Sequence, residues 1–143
     1  MTPQRVSLIT LGVADLAASV AFYARLGWAP VNAPDGVAFY QMNGCLLGLF
    51  GHDDLAADQG RKGETLGTGA VTLAQNFATV AEVDAAFAAA IKAGGTPLKP
   101  PRAVFWGGYS GYWADPDGHV WELAMNPFWP LDADGSVMFP ATV

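Results

Sequence analysis

Two stretches of this chain repeat one another, and the repeat restricts the fold more than any other feature. Leu8-Ile9-Thr10-Leu11 is echoed by Ala70-Val71-Thr72-Leu73, and Leu46-Leu47-Gly48-Leu49 by Val120-Trp121-Glu122-Leu123. Between the members of each pair the same elements follow in the same order. Each half therefore reads as a βαβββ unit of the α+β class. Its sheet has one face covered by its own helix, and the other face needs the partner half or a second chain.

The local signals support this order. In the first half a strand at Ser7 to Gly12 leads to Asp15, a fair N-cap for a helix through Leu26 with Leu16, Val20, Tyr23 and Leu26 on its inner stripe. Gly27 ends that helix, and Trp28 to Val31 reads as an edge strand because Pro30 cannot donate to a central ladder. Val37 to Met42 and Cys45 to Phe50 flank Asn43-Gly44, a two-residue hairpin signal. In the second half Ala70 to Asn76 is a strand. Thr79-x-x-Glu82 is a capping box that opens a helix through about Ala93, with Val80, Val83, Phe87, Ala90 and Ile91 inward. Short strands are expected near Thr96–Leu98 and Ala103–Phe105. Tyr112 to Leu123 then forms a hairpin across Asp115-Pro116-Asp117-Gly118. One domain spanning 1–143 is expected, with module one at about 5–50 and module two at about 70–126. The polar stretch 51–69 between them is a lid or a plain linker. The tail, 127–143, is rich in Pro and Asp and irregular, though Phe128, Trp129, Met138 and Phe139 suggest that it packs somewhere.

Composition narrows the function classes. A hydrophobic content of 52% with 14% charged residues indicates a packed globule. A net charge of −6 argues against nucleic acid, whose phosphates require clustered Lys and Arg. The lone Cys45 excludes an intrachain disulfide and fits a reducing compartment. No apolar run is long enough for a signal peptide or a membrane span, so a soluble cytoplasmic protein is expected. No Ser-His-Asp set, phosphate loop or dinucleotide fingerprint is present.

Several motifs together resemble the vicinal oxygen chelate superfamily, which includes glyoxalase I, bleomycin-resistance proteins and extradiol dioxygenases. They are Leu11-Gly12-Val13-Ala14-Asp15-Leu16, Phe22-Tyr23 and Leu26-Gly27-Trp28 in the first half, and Asp115-Pro116-Asp117-Gly118 with Trp121-Glu122-Leu123 in the second. The resemblance implies paired βαβββ modules forming an open, cup-shaped mixed β-sheet with helices outside, commonly in a homodimer. Metal-using members take ligands from the first and last strands of each module. Those positions correspond to Leu8 and Gly48, and to Ala70 and Glu122. Only Glu122 can coordinate, and one carboxylate does not make a divalent site of about three or four ligands.

If Glu122 points into the cup, strand parity lists the lining. A four-residue turn at Asp115–Gly118 would put Gly111 opposite Glu122, so that Tyr109 and Trp113 share its face and Tyr112 joins Trp121 in the core. A turn one residue longer would exchange these roles. Phe39, Gln41 and Phe50 surround Gly48, Thr10 and Thr72 come from the leading strands, and Trp106 before Gly107-Gly108 forms an aromatic rim. Glu122 itself has three readings: a structural carboxylate, an acid or base facing a ligand, or a partner for a cation. His52 is read as a surface-loop residue and His119 as structural.

The expectation is a metal-independent homodimer, resembling the bleomycin-resistance branch, whose aromatic cup binds a small planar molecule, with a cation suiting the acidic charge. No cofactor is expected. The alternatives are a metal-dependent lyase, isomerase or dioxygenase with Glu122 as a ligand, a metal-free enzyme with Glu122 as general acid or base, and an interaction module whose cup is plugged by Phe128 or Trp129.

Overall fold

The computed structural model describes residues 1–138; the tail residues Phe139 to Val143, including the Phe139 expected to pack, lie outside the described residues. The chain forms two compact units, Met1–Gly67 and Thr68–Val143. The boundary falls inside the segment read as lid or linker. Both units are mixed α/β layers, and no helix among the described residues is long and apolar enough to cross a membrane.

The first unit contains β1 (Leu8–Val13), α1 (Leu16–Arg25), β2 (Val37–Gln41), β3 (Leu46–Gly51) and α2 (His52–Asp58). The strand order is β1-β3-β2, with β1 parallel to β3 and β2 antiparallel to it. Asp15 caps α1 as expected, its carboxylate accepting from the Ala18 N–H at 3.0 Å. The buried stripe is Ser19, Phe22 and Tyr23, one residue round from the expected Leu16 and Val20, because the aromatic pair rather than the aliphatic pair supplies the bulk. Tyr23 is the hub: Phe22 meets it edge-on at 5.0 Å and Trp28 stacks on it at 5.4 Å. This use of Trp28 removes it from the expected edge strand. Trp28 to Val31 forms no strand, and only the bridge between Asn32 and Phe39 survives beside β2. Of the stretch read as a lid or linker, Gly51 closes β3 and the next seven residues form α2, which packs on β1 and β3.

The second unit contains β4 (Thr72–Asn76), α3 (Val80–Ala93), β5 (Thr96–Ala103), β6 (Tyr109–Ala114) and β7 (Val120–Met125). Its order is β4-β7-β6-β5, so here too the first strand runs parallel to the last. Thr79 caps α3 by accepting from the Glu82 N–H at 3.2 Å while its hydroxyl donates to the Glu82 carboxylate at 3.0 Å. Gly94 ends the helix in the left-handed region at φ 111°. Under α3 the cross-strand pair Trp113 and Trp121 stacks with ring centroids 5.9 Å apart and planes within 8°.

Where two short strands were expected, β5 is one edge strand with register shifts between Pro97 and Lys99 and between Lys99 and Arg102. Pro100 and Pro101 cannot donate to a ladder, and an edge with a bulge is where such residues are tolerated. The bulge presses on β6. A Cβ at Gly111 would stand 2.8 Å from both Pro101 Cγ and Pro101 N, and 2.9 Å from the Lys99 carbonyl oxygen. Gly111→Ala should therefore destabilise the protein by about 1–3 kcal/mol through overpacking. Urea unfolding monitored by tryptophan fluorescence measures this, and an unchanged midpoint would show that the bulge relaxes freely.

Candidate functional site

The turn between β6 and β7 decides what stands beside Glu122. The Asp115 N–H donates to the His119 carbonyl at 2.9 Å, and the Gly118 N–H to the Asp115 carbonyl at 3.0 Å. Asp115 and His119 thus close the hairpin around three residues, Pro116-Asp117-Gly118, with Gly118 at φ 85°. The Asp115 carboxylate, itself buried, accepts from the Asp117 and His119 N–H groups, each at 2.9 Å. That loop is one residue shorter than the expected turn, so every pairing shifts by one.

The consequence is an exchange of faces. Tyr112 pairs with Glu122, Trp113 with Trp121, and Tyr109 with Met125. Trp113 therefore lies in the core, 2% exposed, and not on the Glu122 face. Tyr109 also turns to the helix side, its hydroxyl donating to Asp84 of α3 at 2.7 Å. That hydrogen bond, then burial and the Asp84 charge, hold the Tyr109 phenol above its ordinary pKa. Placing Tyr109 and Trp113 beside Glu122 was an error of register, and Tyr112 occupies the place instead. Burial first, then the Glu122 charge and hydrogen bonding to Glu122, push the Tyr112 phenol up as well.

The register continues across the sheet. Lys99 pairs with Tyr112, Tyr112 with Glu122, and Glu122 with Ala74, so these four residues form one row on one face. Arg102, Ser110, Ala124 and Asn76 form the next row on the same face. Thr72 lies on this face too, paired with Val120. Above the rows, the Val104 N–H donates to the Gly108 carbonyl at 3.0 Å and Gly107 adopts φ 94°, closing a second three-residue turn through Phe105 and Trp106. The Trp106 ring folds back over Gly108, into the space that any side chain there would need. Hairpin and sheet face border an open cavity of about 420 Å³, lined by Lys99, Arg102, Phe105, Trp106, Tyr112 and Glu122 among others. Its size suits a small organic ligand. Neither Phe128 nor Trp129 lines it, and both are exposed.

The remaining expected residues belong to the first unit. Thr10 pairs with Gly48, as does Phe39, and a Cβ at Gly48 would meet Thr10 Oγ1 at 3.2 Å and Phe39 Cδ1 at 3.5 Å. Phe50 lies across from Val37 on that face, and Gln41 across from Leu46. The Gln41 amide donates to the Met42 carbonyl at 2.8 Å, bracing its own hairpin. His52 is not in a loop. It opens α2, half-buried, with Nδ1 2.9 Å from where a Cβ on Gly12 would stand.

The pairing also corrects the metal-ligand correspondence. Leu8 pairs with Leu46 in the first unit and Thr72 with Val120 in the second, so Thr72 rather than Ala70 is the counterpart of Leu8. The set Leu8, Gly48, Thr72 and Glu122 still offers one carboxylate and one hydroxyl, which does not fit a divalent ion. No group of three or more His, Cys, Asp or Glu that could hold a metal exists among the described residues. Lys99, Arg102 and Tyr112 were missed. The Pro100-Pro101 pair was the signal for the two cations, because a diproline within a strand implies a bulge and a change of parity.

The Tyr112–Glu122 contact has a measurable signature. Replacing Glu122 by Gln removes the negative charge, so the Tyr112 phenol should fall part of the way back toward 10.0, burial holding the rest. Absorbance titration of phenolate formation should show one of the four tyrosines ionising at lower pH in Glu122→Gln than in the parent. Superimposable curves would place Tyr112 away from the carboxylate.

Comparisons with known proteins agree with this fold. The sequence model of the Glyoxalase/Bleomycin resistance protein/Dioxygenase superfamily matches residues 5–123. An uncharacterized protein of Mycobacterium bovis is 35% identical in an alignment of 125 positions that covers 79% of this chain and 78% of that protein. The crystal structure of a glyoxalase-related enzyme from Fulvimarina pelagi superposes with a TM-score of 0.90 at 46% identity, covering 97% of this chain and 100% of that one. A lactoylglutathione lyase from Agrobacterium tumefaciens, 24% identical, shares the fold at a TM-score of 0.67 over 92% of this chain and 100% of its own. With the paired strand order of both units and the match over most of its length, the chain belongs to the Glyoxalase/Bleomycin resistance protein/Dioxygenase superfamily.

Proposed function

We propose that this protein binds a small, planar organic molecule in the cavity of its second unit, without a metal. The observation that carries the reading is the Tyr112–Glu122 pair at the base of a cavity walled by Trp106. The indole offers a stacking surface, the carboxylate accepts a hydrogen bond from the ligand, and the phenol beside it is held neutral as a donor. Metal independence rests on the donor set, in which leucine and glycine stand where ligands would be needed. The free thiol of Cys45 suits a cytoplasmic location.

Titration of tryptophan fluorescence against a library of aromatic compounds should give saturable binding that a chelator does not change. Trp106→Ala should weaken it about three- to tenfold, the worth of one stacking contact. Stoichiometric zinc, nickel, iron or manganese in the purified protein, lost on Glu122→Ala, would replace this reading with the metal-dependent one. The cross-strand pairing of Tyr112 with Glu122 favours a second reading, a metal-free enzyme using Glu122 as general acid or base. In that case Glu122→Gln abolishes turnover and leaves binding nearly intact.

A homodimer is part of the proposal, supported by family membership and by exposed apolar side chains such as Val71 (65%) and Leu98 (52%). Light scattering should return twice the chain mass, and a monomer at micromolar concentration would remove this element.

A further inference from the structure

The acidic balance of the whole chain suggested a cationic ligand, but the cavity has the opposite sign. Of the seven Lys and Arg residues in the protein, two, Lys99 and Arg102, line this one cavity. Glu122 is the one acidic group in that lining. Among the described residues no ion pair joins Lys99 or Arg102 to a carboxylate within 4.0 Å.

The presence of both cations on one face follows from the bulge. In a regular strand, residues three apart face opposite sides of the sheet. Here Lys99 pairs with Tyr112 and Arg102 with Ser110, so three residues of β5 span two of β6 and both side chains reach the same face. The extra residue lies in the Pro100-Pro101 step, and Gly111 supplies the clearance it needs. Bulges re-aim side chains in this manner. In the row that results, Lys99 and Glu122 flank Tyr112 from the strands on either side, their backbones about 10 Å apart by the usual strand spacing. The cavity thus has a cationic end at β5 and an acceptor end at β7, with Tyr112 between them and Trp106 above.

The geometry points to an anionic ligand: a planar compound whose carboxylate is bound by Lys99 and Arg102 while its opposite edge meets Tyr112 and Glu122. This rests on the binding reading above and specifies the ligand class. Arg102 suits bidentate contact with a carboxylate, and Lys99 adds a point charge beside it. A ligand cation at that end would face two like charges.

Three probes matched in shape and differing in charge test it on the intact protein by calorimetry: 2-naphthoate, 2-naphthamide and 2-naphthylmethylammonium. The naphthoate should bind about tenfold more tightly than the amide, with the ammonium weakest, and the naphthoate preference should shrink as salt rises. The preference should disappear in the double variant Lys99→Gln, Arg102→Gln, the naphthoate losing about tenfold more affinity than the amide; circular dichroism confirms that the variant folds. The salt series on the parent protein needs no variant. Equal binding of all three would leave the binding reading standing and overturn the anion. Tightest binding of the ammonium would also overturn it, showing that Glu122 sets the selectivity. No saturable binding of any probe would overturn both readings.

Discussion

The candidate site depends on one buried carboxylate that never touches the cavity. Asp115 accepts from two N–H groups of its own turn, which fixes a three-residue loop, and the loop fixes the pairing of β6 with β7. Side chains alternate across a sheet, so a shift of one residue would move Tyr112 into the core and bring Trp113 onto the Glu122 face. The core resists that shift independently. Trp113 and Trp121 stack beneath α3, and a Cβ on Gly95 would come within 3.0 Å of the Trp113 ring. Turn chemistry and aromatic packing therefore select the same register independently. Agreement between local and tertiary preferences is what gives one register an energy gap over its neighbours.

A second irregularity acts on the other edge of the same sheet. The diproline bulge in β5 costs ladder hydrogen bonds, but it lies on an edge strand where the loss is small. Its effect is to change parity once along the strand, so Lys99 and Arg102 face one side. Gly111 is the complementary feature on β6, small because the Lys99 carbonyl and the Pro101 ring occupy the space of a side chain. Site and scaffold are thus linked by backbone geometry rather than by a network of side-chain contacts.

Much of the fold was legible in the chain. Asp15 and Thr79 marked the two main helix starts, Asn43-Gly44 marked a hairpin, and the repeat gave the common strand order of the two units. The missed features share a physical cause. Propensity reports what a residue tolerates, whereas register and parity depend on how many residues a turn or bulge consumes. Asp115-Pro116-Asp117-Gly118 signals a reversal equally well for a three- or four-residue loop, and the difference resides in which N–H groups the Asp115 side chain captures. Trp28 to Val31 has strand-like residues, yet stacking of Trp28 on Tyr23 outweighs pairing at an edge interrupted by Pro30. His52 and its neighbours are polar enough to read as loop. They form α2 because Ala56 is fully buried in the first unit and Asp53 and Asp54 stand in the first turn, where negative charge is favoured.

Glu122 stands on this face without carboxylate or imidazole partners at the positions where the resemblance places its fellow ligands, which here are Leu8, Gly48 and Thr72. A carboxylate on a sheet face needs compensation of some kind. A metal ion would supply positive charge at the carboxylate itself. Here its cross-strand neighbour is a phenol, which carries no charge, and the cations stand one strand further out. The field across the cavity therefore runs from positive at β5 to negative at β7, instead of converging on a central ion. A convergent field draws the lone pairs of one ligand group to a point, whereas a graded field orients an extended molecule end to end. On this face the acid at β7 and the two cations at β5 stand at opposite ends of one row and its neighbour, an arrangement that differs from a set of donors gathered around one point.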